Sequence, residues 1–271
     1  ERDMFDLLRM DLRRLFRTRS FYIILGAMAA LLLAVALLAA IVSDQKTLDA
    51  IQSQGAEITL TDRQEAVRIR DMTQLEFLDE CIGSGSLMVL AGLGVTLFVN
   101  ADLSSGYIKN ICFARPRRWE YVLSKILLAG VYSGAIVIMG ILVSLICPYL
   151  FGLHPVASPI VRILEYAFWN WLPYWAFSLM GLSLVMLTRS SVLGIVLTVM
   201  AGGGLITQLL AMVCHMLHWP DLWQYLLSSV ASIQCVPMPD MKQIVMILGC
   251  SIGWAVVYAA GSLIAMEKRD I

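Results

Sequence analysis

The sequence predicts an all-α integral membrane protein with six transmembrane helices. Of its 271 residues 59% are hydrophobic, and the mean hydropathy of +0.77 lies above that of ordinary soluble domains. Six apolar stretches each approach the roughly 20 helical residues that cross a hydrocarbon core of about 30 Å. Their connections are short and leave no room for a soluble catalytic domain, so residues 1–271 form a single transmembrane domain.

The distribution of basic residues predicts the orientation of these spans. In chain order the spans are 21–42, 82–99, 126–151, 163–187, 192–213 and 244–266. The N-terminus, the second-to-third connection, the fourth-to-fifth turn and the C-terminus together contain fourteen of the 20 Lys and Arg residues. Because basic segments stay in the cytoplasm, both termini are expected there, which agrees with an even number of spans.

Residues 4–17 have the pattern of an amphipathic helix. Apolar residues recur at three-to-four spacing, and arginines occupy much of the remaining surface. The apolar set is Phe5, Leu8, Leu12, Leu15 and Phe16, and the basic set is Arg9, Arg13, Arg14 and Arg17. The pattern favours a helix lying in the membrane interface, with arginines on anionic headgroups, over a plain extension of the first span into water.

The first outer loop, residues 43–80, contains nine acidic residues against four basic ones. Thr61 followed by Gln64 has the spacing of a capping box that opens a helix toward Glu80, and Gly55 separates it from a short helix over 47–54. An acidic cap around the exit path of a cationic substrate is one interpretation. A solvated helical hairpin is the other, and the pattern favours it.

The inner connection between the second and third spans predicts a short helix over 103–113. Asp102 ends the second span, and a serine after it can cap the new helix. Pro116 cannot continue that helix, and another begins near Trp119 at the interface and enters the third span. The apolar face of the short helix holds Tyr107, Ile108 and Ile111. A rigid helix projecting below the membrane is favoured over an irregular basic connector.

Polar side chains within the fourth and fifth spans are candidates for contact with a transported substrate, because polar groups near lipid are often functional. These candidates are Glu165, Trp169, Asn170, Trp175 and Gln208. For the fourth span the alternative is an aromatic belt in which Glu165 pairs with Arg162. Glycines 202–204 in the fifth span allow either close packing or a weakened helix, and Gln208 is expected to be buried with a partner.

Several kinds of chemistry are excluded or disfavoured. A phosphate-binding GxxxxGK[ST] loop does not occur, so ATP is not expected to bind this chain in that way. The six cysteines have no metal-ligand spacing, although a disulfide between Cys214 and Cys235 stays open. Small residues 83–86 lack a serine-protease context, and no basic-aromatic array indicates nucleic-acid binding. Catalytic, cofactor-binding and metal-binding residues are therefore not expected.

Three short stretches carry a family resemblance. Residues 105–110 read Ser-Gly-Tyr-Ile-Lys-Asn, and residues 115–121, Arg-Pro-Arg-Arg-Trp-Glu-Tyr, lead to Lys125. The chain closes on Glu-Lys-Arg-Asp-Ile at 267–271. With the amphipathic N-terminus and six spans, this resembles the ABC-2 permease family, the membrane subunits of type-2 ABC exporters.

The resemblance implies two partners. Two permease subunits pair, either as a homodimer or as two related chains, and each docks an ABC ATPase that carries ATP and Mg on a separate chain. The helix over 103–113 would be the coupling helix seated in the ATPase. Its docking residues would be Tyr107, Ile108, Lys109, Asn110, Ile111 and Arg115. The N-terminal helix would be the family's interfacial connecting helix, and this chain would not itself be an enzyme.

The substrate implied by the resemblance is an amphipathic or hydrophobic molecule leaving a bacterial cell through the plasma membrane. Compact members without a large outer domain are similar to exporters of peptide toxins and antimicrobial peptides. Ions, drugs and lipids are other cargoes of the family. A membrane anchor or sensor that tethers a soluble protein without transporting anything is the alternative from another functional class.

Overall fold

The computed structural model describes residues 2–44, 60–83, 85–107, 118–233 and 239–268. In these ranges 87% of the residues are helical and no strand occurs. The helices are α1 (Arg2–Arg17), α2 (Arg19–Ser43), α3 (Leu60–Asp71), α4 (Gln74–Leu78), α5 (Ser86–Ser104), α6 (Arg118–Leu150), α7 (Ile160–Thr188), α8 (Ser191–Gly202), α9 (Leu205–Met216), α10 (Leu227–Ala231) and α11 (Met241–Lys268). A π-helical turn at Asp79–Gly83 and a 3₁₀ helix at Leu222–Tyr225 complete the described helical segments.

Five of the described helices, α2, α5, α6, α7 and α11, are long and apolar enough to cross a membrane. The pair α8 and α9 adds a sixth span if its members are taken together across a 60° bend. The helices therefore have the character of a multi-pass all-α membrane protein, as predicted. The fifth predicted span, 192–213, is the one that the structure divides into two helices.

Helix α7, the fourth predicted span, is the central helix of the described part of the chain. It contacts α5, α6, α8 and α11, and 72% of its most apolar stretch is buried. The corresponding buried share is 22% for α2 and 11% for α11, so these two helices lie at the periphery. Most of α7 therefore forms the core of the chain.

Glycines on α5 allow its neighbours to approach closely. A Cβ added at Gly94 would overlap the hydroxyl end of the Tyr132 ring on α6. A Cβ added at Gly92 would lie 2.7 Å from both the Phe177 ring on α7 and the Thr198 methyl group on α8. Helix α5 thus packs between three neighbours at distances that larger side chains would prevent.

The beginning of the second predicted span is irregular. Helix α5 starts at Ser86 rather than near Ile82, because the π-helical turn comes before it. Two hydroxyl groups of α7 satisfy the backbone there: Tyr166 donates to the Leu78 carbonyl at 3.3 Å, and Tyr174 donates to the Ile82 carbonyl at 2.9 Å. Buried carbonyls that leave a regular helix need such partners.

The outer loop differs from its prediction. The helix expected to run toward Glu80 stops at Asp71, because the backbone at residues 72–74 bonds instead to Val156: the Val156 N–H donates to the Met72 carbonyl, and the Gln74 N–H to the Val156 carbonyl. The capping box occurs at Thr73 and Glu76, where it opens α4. The predicted helix over 47–54 and Gly55 lie outside the described residues.

The segment after α9 contains two short helical segments, the 3₁₀ helix and α10. Cys214 at the end of α9 is buried, and its thiol is free among the described residues. Its proposed partner, Cys235, lies outside those residues.

Helix α1 packs mainly against α6. Its covered face contains Leu7, Asp11 and Leu15, whereas Phe5 and Phe16 of the predicted apolar face are exposed. Protein therefore covers part of the surface that the spacing assigned to lipid. The reason is that α6 begins at Arg118, before the predicted third span, and its first turns contact α1 through Ser124 and Lys125.

Candidate functional site

Four charged side chains from three helices meet beside the junction of α1, α5 and α6. The Lys125 Nζ lies 2.8 Å from Asp11 Oδ1 and 2.7 Å from Asp102 Oδ2. The Arg14 Nη2 lies 2.6 Å from Asp102 Oδ1. These four residues are called the charge cluster below. Its two positive and two negative charges balance.

The charge cluster is buried. The side chains of Lys125 and Asp102 have no exposed surface, Asp11 is 1% exposed, and only Arg14 keeps 34% of its surface. Charges removed from water to this extent are tolerated only when they are paired. The cluster therefore holds α1, the end of α5 and the start of α6 in one arrangement.

Two hydroxyl groups of α6 extend the charge cluster. Tyr121 donates to Asp102 Oδ2 at 3.2 Å, and Ser124 donates to Asp11 Oδ2 at 3.2 Å. Residues 121, 124 and 125 share a helical face because they lie three or four positions apart. One face of the first turns of α6 thus provides hydrogen-bond donors to the carboxylates of both Asp11 and Asp102.

Aromatic rings cover the cations. The Arg14 guanidinium lies 4.0 Å from the centre of the Tyr107 ring, and the Lys125 ammonium lies 4.7 Å from that of Phe98. Burial lowers the pKa of Arg14, but the charge of Asp102 and the hydrogen bonds to Tyr107 and Asp102 together outweigh burial, so the pKa lies above its usual value. Burial raises the pKa of Tyr107. Arg14 therefore stays charged and Tyr107 neutral at physiological pH.

In the sequence, residues 108–117 lie between two members of the charge cluster, Asp102 and Lys125. Helix α5 continues through Leu103 and Ser104, the first positions of the predicted helix over 103–113. Ser105 is then its C-cap, and Gly106 has a φ of +70°. Helix α6 begins at Arg118. Of the predicted docking residues only Tyr107 is described, and it covers Arg14; the others, Ile108, Lys109, Asn110, Ile111 and Arg115, lie outside the described residues.

The predicted substrate-contacting residues of α7 have separate environments. Glu165 pairs with Arg162 at 3.3 Å, and both side chains are exposed, with 40% and 43% of their surfaces accessible. Asn170 is buried, and its amide donates to the Tyr166 carbonyl at 3.0 Å. Trp169 is half-buried. The Glu165–Arg162 pair is thus the one that the aromatic-belt alternative includes, and the Asn170 amide bonds within α7.

Trp175, the last predicted contact of α7, stacks on Trp171 with ring centres 5.5 Å apart and planes at 4°. The Trp171 indole N–H donates to the Gly130 carbonyl at 2.9 Å, and that of Trp175 donates to the Ile126 carbonyl at 3.1 Å. These rings line a cavity of about 650 Å³ between α6 and α7. It is called the tryptophan groove below, and its other lining residues are Leu127, Gly130, Val131, Gly134, Ala135, Val137, Ile138, Ala167 and Phe168.

Gln208 is exposed rather than buried, because the 60° bend between α8 and α9 opens the fifth span beside it. It lines a second cavity of about 740 Å³, which also contains Trp223 and the hydrogen-bonded pair Thr207 and Ser228. This cavity is called the bend groove. Trp175 and Gln208 thus lie in different cavities, and the five predicted contacts do not form one continuous surface.

Sequence reasoning missed the role of Asp11 in the charge cluster. Asp11 lies four residues after Leu7 and four before Leu15, so it shares their face of α1. A carboxylate in the middle of an apolar face was a signal that it would meet a buried cation. Its partner Lys125 was noted only as a residue entering the third span.

The chain matches no protein-family model, and a search of curated proteins finds no match for it. A functional assignment therefore rests on the residues described above.

Proposed function

We propose that this chain is the membrane-spanning permease subunit of an ATP-driven exporter of the ABC-2 type. It would lie in the plasma membrane of a bacterium with both termini in the cytoplasm, and ATP would be hydrolysed by a separate subunit. The charge cluster carries the proposal, because it fixes the helices on both sides of residues 108–117. A segment held at both ends by buried ion pairs transmits a displacement to the helices that flank it.

In the proposed mechanism, closure of two ATPase subunits displaces residues 108–117 in each of two paired permease chains. Helices α5 and α6 follow as a unit, since separating Lys125 from Asp102 would leave charges buried without partners. Helix α5 also packs along α8, the first half of the bent fifth span. Displacement at the charge cluster would thereby reach the bend groove.

The bend groove is the proposed point of contact with the substrate. It combines the apolar side chains Leu31 and Val89 with the polar groups of Thr207, Gln208 and Ser228. Interrupted membrane helices beside polar groups commonly form the binding sites of transporters. Such a surface suits an amphipathic cargo, and a peptide toxin or antimicrobial peptide is the favoured one. An ion, a drug or a lipid is the alternative cargo.

The exposed side of α1 would lie in the cytoplasmic interface. Phe5 is 62% exposed and Phe16 is 50% exposed, and Arg9, Arg13 and Arg17 are exposed on the same helix. Aromatic residues enter the acyl boundary, and arginines attract anionic lipid headgroups. In this proposal α1 therefore contacts α6 on one side and lipid on the other.

Co-purification from the membranes of the native host tests the proposal. An ABC ATPase present at about one copy per permease chain is the expected result, with ATP hydrolysis that responds to amphipathic peptides. An Ile111→Asp variant should lose the ATPase. An Arg63→Asp variant, altered at an exposed position of α3 in the outer loop, should retain it.

Recovery of a different soluble protein, with no ATPase, would support the anchor or sensor function instead. Monodisperse elution of each variant in detergent controls for misfolding. Loss of the ATPase from both variants would show that residue 111 has no particular role in docking.

A further inference from the structure

The tryptophan groove is apolar even though two indole groups line it. Both indole N–H groups turn toward α6 and donate to the backbone carbonyls of Ile126 and Gly130. The remaining lining side chains are aliphatic or small, apart from the Phe168 ring. An occupant would therefore find apolar surface and no free indole donor, which suits a hydrocarbon chain.

The groove opens toward the region that lipid occupies. Val131 and Ile138 on α6 are 44% and 58% exposed, and Phe168 on α7 is 48% exposed. These three residues line the groove. Both α6 and α7 are long and apolar enough to cross a membrane. Its open side therefore faces hydrocarbon once the chain is in a bilayer.

The dimensions of the groove suit a single flexible hydrocarbon chain. Its lining residues on α6 extend from Leu127 to Ile138, over about 17 Å of helix, and its volume is about 650 Å³.

Side chains of the same chain already occupy the space beside the glycines of the groove. Gly130 and Gly134 have the four-residue spacing that often lets another helix approach. A Cβ added at Gly130 would lie 3.2 Å from the Trp175 Nε1, and one added at Gly134 would lie 3.4 Å from the Trp171 Nε1. The two rings of α7 thus occupy the close-approach positions that a partner helix would need.

We propose that the tryptophan groove binds one acyl chain of a membrane phospholipid. The chain lies along the stacked faces of Trp171 and Trp175, over the small residues of α6. The site is separate from the bend groove and does not depend on transport. It also gives Trp175 a role other than the substrate contact predicted from the sequence.

Photolabelling of the full chain tests this site. The protein is reconstituted in phosphatidylcholine vesicles with a trace of phosphatidylcholine that carries a diazirine on its acyl chain. After irradiation, labelled peptides are mapped by mass spectrometry. Labelling of 127–138 and 167–175 should exceed that of the exposed face of α11 several-fold. The Ala135→Phe variant, which fills the groove from α6, should lose this excess, whereas Ala260→Phe on the exposed face of α11 should keep it.

Ala167→Phe fills the groove from α7 and provides a second test if Ala135→Phe fails to fold, which elution in detergent would reveal. Equal labelling of the groove and of α11, unchanged in the filled variants, would overturn the proposal in favour of general lipid contact. A groove that stays unlabelled while α11 is labelled would also overturn it, because a protein segment would then cover the groove. Neither outcome depends on the export proposal, since no ATPase or transported substrate is present.

Discussion

At the scale of single residues, Lys125 connects both carboxylates of the charge cluster. It contacts Asp11 of α1 and Asp102 of α5, whereas Arg14 contacts Asp102. Removing the cation from a buried ion pair leaves an anion that water cannot reach. The free-energy cost of that unpaired anion exceeds the net stabilisation that the ion pair provides. The effect of a substitution therefore depends on which charges remain.

We expect Lys125→Met to destabilise the chain by about 3–5 kcal/mol, because Asp11 and part of Asp102 would remain buried without their cation. Thermal unfolding in detergent measures the change. The control is Arg162→Gln, which breaks the exposed pair with Glu165 and should cost about 0–1 kcal/mol. Adding Asp11→Asn to Lys125→Met restores the charge balance and should recover part of the loss. Equal effects of Lys125→Met and Arg162→Gln would contradict the assigned burial.

Gly94 provides a second residue-scale prediction. A methyl group there would overlap the Tyr132 ring, so Gly94→Ala should cost about 1–3 kcal/mol through overpacking between α5 and α6. Gly249→Ala on α11 is the matched control, because a Cβ there meets nothing within 4 Å. That control should be neutral or stabilising by about 0.5–1 kcal/mol. The two unfolding temperatures should move apart; parallel shifts would argue against this packing.

Residue types and spacing predicted part of the candidate site. Asp102 and Lys125 were recognised as residues at the ends of two spans, and Tyr107 as part of an apolar face. Their pairing with Asp11 and Arg14 was beyond sequence reasoning, because ion pairs between helices depend on tertiary packing. For the same reason Gln208 was expected to be buried, although the bend beside it leaves it exposed.

At the scale of elements, the fifth span shows how a local glycine preference changes a membrane helix. Gly204 is the N-cap of α9 and has a φ of +78°. A residue with a side chain would adopt this left-handed backbone conformation only under strain. The sequence indicated either close packing or a weakened helix at residues 202–204. Gly202 does lie close to Val89 and Phe177, so both interpretations apply at neighbouring positions.

Gly204→Ala should cost roughly 1–2 kcal/mol and shift the fifth span toward a straight helix. The bend groove should then admit less reagent, so a cysteine introduced at position 208 should react more slowly with a membrane-impermeant maleimide. Gly253→Ala in α11 is the control, since its φ is not positive and its surroundings are open. An unchanged rate at position 208 would mean that the bend does not depend on Gly204.

Helix α4 should have a stability that depends on pH. The Thr73 backbone N–H and hydroxyl both donate to Glu76, which lowers the pKa of that carboxyl group. The ionised form therefore stabilises α4. Its contribution is complete above the ordinary Glu pKa of about 4.3 and is lost as pH falls through the lowered value.

Hydrogen exchange of the Glu76 and Phe77 amides, corrected for intrinsic rates, measures this effect from neutral to acid pH. Protection should fall at the acid end in the native chain. Glu76→Gln keeps an acceptor without the charge, so its protection should change less with pH. Identical pH profiles would rule out the carboxylate as the source.

At the scale of the whole molecule, runs of apolar residues were enough to locate five long apolar helices and the bent pair α8 and α9. Helix existence and approximate position followed from runs of apolar residues, because lipid forces the backbone to be helical. The irregular start of α5 and the early end of α3 did not follow. Both depend on contacts with distant residues, such as Tyr174 and Val156, that no local pattern contains.

The pair α8 and α9 decides the topology. If the pair crosses the membrane, six spans place both termini on one side, as the distribution of basic residues predicts. If it returns to the side from which it entered, five spans place the termini on opposite sides. We expect tags at both ends to be protected from protease in sealed right-side-out vesicles and digested after the membrane is opened. Digestion of one tag in intact vesicles would indicate five spans.

The order in which the ribosome makes the charge cluster has a consequence for its assembly. Asp11, Arg14 and Asp102 are synthesised first and together carry one excess negative charge; Lys125 follows and neutralises it. Until Lys125 has been synthesised, Asp102 can pair only with Arg14, and Asp11 has no cation of the charge cluster beside it. The junction of α1 and α5 therefore reaches its final arrangement only after the first turns of α6 have joined it.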